Sequence, residues 1–468
     1  MKKYPLILLI AFPLVFLLFV RYGYQFNGLY GQDSHAYLRY TKELQIWFFT
    51  NTTLSYFIWP IIYPLIGAFI SLVFGNEILI LQLISALSLS GVCYYTYKLH
   101  EVKKNKQRLI PYFFLFLCLS PIMLKSSIVI MSDMLCLFFI MGAWFYSFEY
   151  KKNLALKSVL IASVFSAFAV TTRHVAPLLL IVPMVVVLQV MFKTRLWVHL
   201  IIGGLIVVSI IAPQLWIKSD ELAKAFSHDL FQEISIRNLF KREFTTAAGT
   251  NRYLLPNILG VLYPFVHLLF YLPGVIVLYF FQPKKDISKR KYLWIGLGVY
   301  LLFLAIVPYQ NKRFLMLTMP FVAMILAPSF TRFYKVIKKR YQVQTLFTVV
   351  VIFIQLGVFT YTFNIIYQRN ILEQKTAQVI NSYPNKTLYG FDLDISLPSY
   401  GCNKEIKNLW KDVYPKFRKG SLLLFNVEKN RVQWKDKNPM INWRNLITNY
   451  NIIKLNDLGN GYILYEIQ

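Results

Sequence analysis

Apolar runs separated by short basic segments fill the chain up to about residue 368. Stretches such as 6–20, 78–95, 175–192 and 345–363 approach or reach the roughly 20 apolar residues that carry a helix across a bilayer. A helix is the form in which such a run satisfies its own backbone groups in lipid. By this length criterion the pattern predicts about eleven spans, at 6–20, 78–95, 109–123, 130–148, 155–170, 175–192, 196–217, 255–281, 292–307, 314–327 and 344–367. The run 57–74 is ambiguous. It is long enough to cross, yet it holds Pro60 and Pro64 and ends at once in Gly75, Asn76 and Glu77.

From residue 369 the pattern changes. Apolar and polar residues alternate over 387–391, 422–427 and 450–455, helical stretches lie between, and Asn460-Gly461 marks a hairpin turn. The expected architecture is an α-helical polytopic membrane domain over 1–368, with interfacial helices on its outer face, followed by a small extracytoplasmic α/β domain over 369–468.

Composition narrows the class. With 468 residues, 57% hydrophobic and 17% aromatic, and a mean hydropathy of +0.49, the chain is too apolar for a soluble protein. The net charge of +29 could suggest a nucleic-acid partner, but the basic residues cluster at 98–108, 151–157, 193–195, 284–291 and 332–340, between the apolar runs. That is the pattern of topogenic charge, and it discounts nucleic acid. Lys2 and Lys3 hold the N-terminus in the cytoplasm, and no small-residue cleavage site follows, so the first run reads as an uncleaved span. If 57–74 crosses, the basic clusters fall outside; if it lies in the interface, they all fall in the cytoplasm. The second choice is adopted, for a multi-pass protein of a bacterial-type inner membrane. The four cysteines have no metal spacing, and three lie in apolar runs, so neither a zinc site nor a disulfide framework is expected.

On this topology four polar groups share the outer face. They are Asp33 with His35, Tyr37 and Arg39 in GQDSHAYLRY; Ser132-Asp133, preceded by Lys125; Thr171-Thr172-Arg173-His174; and Tyr309-Gln310-Asn311-Lys312-Arg313. Each has a simpler reading. Asp33 and Ser132-Asp133 suit helix N-termini, and Arg173, His174, Lys312 and Arg313 suit snorkelling anchors. The cations, however, stand on the side that topogenic charge avoids. Two carboxylates and several cations suit a reaction in which a phosphate leaves and a nucleophile loses its proton. A lipid-linked donor fits, because its tail stays in the bilayer while its phosphate meets the cations. The stretch 218–253 carries Asp220, Glu221, His228, Asp229, Glu233, Arg237, Lys241, Arg242 and Arg252, and reads either as a lid or acceptor-binding element or as a solvated connector.

The order of these motifs resembles the GT-C superfamily of integral membrane glycosyltransferases. DSHAYLRY, WPIIYPLIGAFISLVFGNE, SSIVIMSDMLCLFF and NKRFLMLTMPF follow one another over roughly residues 1–330. They are most similar to the bacterial branch that includes protein O-mannosyltransferases and the lipid A aminoarabinose transferase. The resemblance implies inversion at the anomeric carbon of a sugar carried on a polyprenyl phosphate, and transfer to a glycan, lipid or protein acceptor outside the membrane. It makes Asp33 the general base and Asp133 the residue that positions the acceptor or a neighbouring cation. Arg313, with Lys312 and Arg173, would hold the donor phosphate; His35, Tyr37, Tyr63 and His174 are further candidate substrate contacts. No cofactor is implied, and a divalent ion shared by the two aspartates stays open. Two departures matter: Ser34 stands where O-mannosyltransferases have a second acid, and YQNKRF stands where the eukaryotic mannosyltransferases have HKExRF. Two other classes remain, a polysaccharide ligase or polymerase, which would lean on outer-loop arginines and a histidine, and a secondary transporter, which would place ionisable groups near the membrane midplane.

The topology is checked by reporter fusions at Asn105 and Lys285: both report the cytoplasm on this reading, and an external signal from either overturns it.

Overall fold

Proline and glycine decide where the apolar runs become continuous helices. The structure, a computed structural model, describes residues 4–50, 52–100, 110–218, 233–246, 249–338 and 341–468. It divides into two compact units: Met1–Gly28, Tyr40–Phe240 and Asn257–Phe363 form the first, and Leu29–Arg39, Lys241–Pro256 and Asn364–Gln468 the second.

Among the described residues, five helices are long and apolar enough to cross a membrane: Leu6–Gly23, Glu77–His100, Ala176–Thr194, Trp197–Ile217 and Gln342–Asn381. A bent pair, Pro111–Cys118 and Pro121–Ile128, brings the number to six if it counts as one span. This is a multi-pass membrane protein. The remaining runs of the expected eleven take other forms. Residues 155–170 and 292–307 appear as Leu156–Val170 and Lys291–Ile306, apolar but of 15 and 16 residues. Residues 130–148 appear as Asp133–Asn153, which carries Lys151 and Lys152 in its last turn.

The run 314–327 is divided between Lys312–Met316 and Met319–Ile337, and two further expected spans are broken for visible reasons. The run 109–123 bends by 66° at Ser120, which is extended, with Pro121 opening the next helix; proline lacks the N–H that would continue the ladder. The run 255–281 is not one helix but Asn257–Gly260, Tyr263–Val266 and Gly274–Tyr279. A Cβ on Gly274 would stand 1.5 Å from the Phe265 carbonyl oxygen, so the chain folds back on itself where only glycine fits. A further difference lies in the expected loop 21–55, which contains a 20-residue helix, Gly31–Thr50. In the ambiguous run, 57–61 is not helical and Ile62–Phe74 is a 13-residue helix, roughly 20 Å long at 1.5 Å per residue. Gly75 (φ 64°) and Asn76 (φ 50°) reverse the chain into Glu77–His100. Gly67 then packs so closely that a Cβ there would lie 2.6 Å from Leu81 Cδ2.

The second unit contains a hairpin, β1 (Glu243–Thr246) and β2 (Gly249–Arg252), and a five-stranded sheet. The sheet is built from β3 (Leu388–Gly390), β4 (Ile406–Asn408), β5 (Leu422–Phe425), β6 (Ile452–Gly459) and β7 (Tyr462–Ile467), in the order β4-β3-β5-β7-β6. β3 is parallel to β4 and β5; β7 is antiparallel to β5 and β6. The expected strands and the hairpin turn are present, with Asn460 (φ 52°) and Gly461 (φ 77°) both left-handed, as a tight two-residue connection requires. The alternation in β3 and β5 does not mark one wet face, however, because every residue of both strands is buried. Leu388, Leu422 and Leu424 pack against Leu372, Ala377 and Ile380 of the helix Tyr341–Asn381. Tyr389, Leu423 and Phe425 pack on the other face with Trp434, Met440 and Leu446. Helix, sheet and helices thus form three layers, as parallel strands covered on both faces demand.

Just beyond β3, Asp394 is almost fully buried, with Oδ2 accepting from Asn408 Nδ2 at 2.6 Å. Burial pushes its carboxyl up to about 6. A carboxyl raised on folding binds its proton more tightly in the folded state. Its contribution is full below the unfolded value near 4 and is lost as pH rises through about 6. Asp394→Asn should therefore stabilise the protein at pH 8 by about 2–3 kcal/mol, with little effect at pH 4, measured by thermal unfolding of the full chain. A variant less stable than wild type at pH 8 would contradict this.

Candidate functional site

Three separate parts of the first unit meet at Asp133. Residues 128–131 are tied to the helix Glu77–His100, with Gln82 Nε2 donating to the Ile128 carbonyl at 3.0 Å and Ser85 Oγ to that of Met131 at 3.3 Å. The Ile130 N–H reaches the Gly28 carbonyl at 2.9 Å. This places Asp133 in the first turn of Asp133–Asn153, where the helix dipole favours a negative charge. Arg173 comes from the tight turn 171–175, whose peptides close back on Ala167 and Ala169. Arg313 sits in the short helix Lys312–Met316, where the Asn311 side chain caps the Arg313 N–H at 2.9 Å.

The carboxylate is divided between the two guanidinium groups. Asp133 Oδ1 accepts from Arg173 Nη1 at 2.6 Å and Oδ2 from Arg313 Nη2 at 2.9 Å. Asp133 is 2% exposed, Arg173 5% and Arg313 30%, so Arg313 is the member with a face still open. Arg173 also lies over the rings of Trp59, at 5.8 Å, and Phe314, at 5.1 Å, which holds its plane by cation–π attraction. Trp59 is fixed in turn. Lys218 Nζ donates to the carbonyls of Phe57 and Trp59, Gln214 Oε1 accepts from the Ile61 N–H at 3.2 Å, and the Ile62 N–H reaches the Thr171 carbonyl at 3.3 Å.

Lysines act on this group as well. The charge of Lys125 is felt with those of Arg313 and Lys312, and Lys312 acts also on His267. His174, with Nε2 3.4 Å from the Ile58 carbonyl oxygen, is held below the ordinary histidine range. Burial is the main cause, offset in part by that carbonyl, with the charges of Lys218 and Arg173 adding to it. His174 is therefore neutral at pH 7, and the cations there are lysines and arginines. Walls of low dielectric strengthen the attraction of such a group for an anion. Both Asp133 oxygens accept from arginines. Among the described residues no group of three or more His, Cys, Asp and Glu side chains is placed to hold a metal.

The other sequence-derived candidates are placed differently. Tyr63 is fully buried, its hydroxyl donating to the Leu81 carbonyl at 2.9 Å and lying 3.0 Å from Ser85 Oγ. It packs one helix on the next. Asp33 lies in the second unit, in the first turn of Gly31–Thr50, and is partly exposed. His35 and Tyr37, expected as substrate contacts, are 2% and 1% exposed, and His35 is bonded to Glu373 and Ser399. Of the stretch 218–253, Asp220, Glu221, His228 and Asp229 lie outside the described residues. Lys218, Trp59 and Phe314 were not singled out by sequence. Lys218 alone carried a signal, as a lysine closing an apolar run on the side that topogenic charge avoids.

No protein-family model and no curated protein matches this sequence. Solved structures do match. The lipid A aminoarabinose transferase ArnT from Cupriavidus metallidurans, bound to undecaprenyl phosphate, is similar over 99% of this chain and 98% of its own, at 13% identity and a TM-score of 0.62. The same protein in the apo state is similar over 98% and 97%, at 14% identity and a TM-score of 0.59. A likeness that takes in nearly the whole of both chains, the C-terminal sheet included, is one of architecture: this chain has the GT-C fold of the integral membrane glycosyltransferases.

Proposed function

We propose that the protein is a glycosyltransferase that takes a sugar from a polyprenyl-phosphate donor and passes it to an acceptor on the outer face of a bacterial-type inner membrane. The observation that supports this best is the group of cations around Asp133: Arg313 and Arg173 bonded to one carboxylate, with the charges of Arg313 and Lys312 acting also on Lys125. Such a group suits a phosphate that gains charge as its bond to the sugar breaks.

The roles follow from exposure. Arg313, Lys312 and Lys125 hold the donor phosphate. Asp133, occupied on both oxygens, orients the arginines rather than touching the acceptor, and Arg173, stacked and buried, backs Arg313. An acceptor hydroxyl or amine attacks the anomeric carbon as the bond from that carbon to the phosphate oxygen breaks. The electron pair leaves with the polyprenyl phosphate, the sugar is inverted, and Asp33 takes the acceptor proton. Asp33 fits this part because it is partly exposed, whereas His35 and Tyr37 on the same helix are buried. The membrane reading is consistent. The helix Ile62–Phe74, at 13 residues, falls short of the roughly 30 Å of hydrocarbon a span must cover, as a segment lying in the interface would. Residues 369–468 then form the extracytoplasmic domain.

Two variants test the reading. In cells lacking the gene, restoring the wild type should restore a sugar modification seen by mass spectrometry of envelope glycans. Asp33→Asn at equal membrane abundance should lower it by about 10²–10⁴-fold, and full restoration by Asp33→Asn would remove Asp33 from the mechanism. Arg313→Ala should weaken binding of undecaprenyl phosphate to the purified protein by about 1.5–3 kcal/mol, read by native mass spectrometry; unchanged affinity would dismiss Arg313 as a phosphate ligand.

A further inference from the structure

Behind Asp33 lies a chain of buried polar contacts that the donor chemistry does not use. His35 is held at both ring nitrogens, Nδ1 2.9 Å from Ser399 Oγ and Nε2 3.0 Å from Glu373 Oε2. His35 and Glu373 are 2% and 1% exposed. Glu373 Oε1 accepts from Arg369 Nε at 2.7 Å, and Arg369 donates through Nη1 and Nη2 to Asp392 at 3.2 and 3.1 Å. The Asp392 carboxylate also accepts from Lys429 Nζ at 2.6 Å and from the Tyr462 hydroxyl. A second tie lies one turn earlier. Asn370 Nδ2 is 2.9 Å from the Leu29 carbonyl oxygen and 2.9 Å from the Tyr400 hydroxyl, and the Tyr400 ring meets the His35 ring edge-on at 5.7 Å.

Asp392 has φ 78°, a left-handed backbone that an L residue adopts at a cost and keeps only where its surroundings insist. It follows β3, where the strand order β4-β3-β5 turns from one side to the other. The network therefore runs from the segment just after β3 to the helix that carries Asp33. Residues two apart on a helix point about 200° away from each other. His35 is thus clamped on the inner face while Asp33 is presented on the outer one, in agreement with their burial. A buried ion pair is a poor source of stability, since packed apolar residues do as well; what it does supply is direction.

We propose that His35 is a positioning residue for Asp33, and that the C-terminal α/β unit, through Glu373, Ser399 and Asn370, sets the place of the general base. The inference rests on the reading of Asp33 as that base. Displacing a reacting group by about 1 Å costs about 10²-fold in rate. His35→Leu fills the same space without either hydrogen bond; His35→Gln keeps an N–H toward Glu373.

The test compares Asp33→Asn, His35→Leu and His35→Gln in the full chain, by envelope glycan mass spectrometry, membrane abundance and binding of undecaprenyl phosphate to the purified protein. His35→Leu should lower transfer about 10- to 100-fold with abundance and undecaprenyl phosphate affinity unchanged, and His35→Gln should recover most of the loss. Transfer at the wild-type rate by His35→Leu, with Asp33→Asn inactive, overturns the positioning role and leaves the base in place. Equal loss in both His35 variants, together with lost undecaprenyl phosphate binding, also overturns it, because the histidine would then only support folding. Activity in Asp33→Asn removes the base itself.

Discussion

A carboxylate taken out of water has to be paid for, and at Asp133 two guanidinium groups do so. Burying such a charge costs several kcal/mol even after relaxation, and good hydrogen bonds to a partner recover it only when the geometry is close. Here each oxygen has its own arginine, at 2.6 and 2.9 Å. The partners come from 40 and 180 residues further along the chain, so the contact fixes three distant segments at one point. The charges of Arg313 and Lys312 act also on Lys125. The ion triad thus serves the fold by joining the segments.

The breaks in the apolar helices belong to the same arrangement. Pro121 bends the chain by 66° just before the segment that leads to Asp133. Residues 57–61, which include Pro60, are not helical, and the carbonyls of Phe57 and Trp59 meet Lys218 while the Trp59 ring meets Arg173. Straight helices would satisfy their own backbones and leave no carbonyl for a lysine. Irregular backbone of this kind is tolerated in a membrane protein where side chains or a cavity supply the missing partners.

The sequence made part of this legible. Asp133, Arg173, Lys312 and Arg313 stand out because charge between apolar runs, on the side expected to be the outer one, has few bland explanations. That Asp133 pairs with both arginines could not be read, since nothing local links residues so far apart. His35 and Tyr63 show the opposite limit. A polar side chain that finds its partners inside, on Glu373 or on the Leu81 carbonyl, has the same letters as one that meets a substrate. The helix Gly31–Thr50 was hidden because its polar residues, Asp33, Arg39, Lys42 and Glu43 among them, break the apolar run. The hairpin at Asn460-Gly461 was visible because both residues need φ > 0 and the sequence supplies the pair that tolerates it. The alternation over 387–391 and 422–427 does not show that β3 and β5 are buried throughout, since a short alternation does not reveal a second covering layer.

In the second unit, polar contacts lead from Asp392 through Arg369 and Glu373 to His35, which ties the C-terminal sheet to the helix that carries Asp33. The account still turns on what the cations near Asp133 bind. The most direct measurement is an electron cryomicroscopy structure of the full-length protein with undecaprenyl phosphate. The account predicts phosphate density within hydrogen-bond distance of Arg313 and Lys125, with the Asp133 carboxylate still bonded to Arg173. Lipid phosphate bound away from these residues, with the cations unchanged, would contradict it.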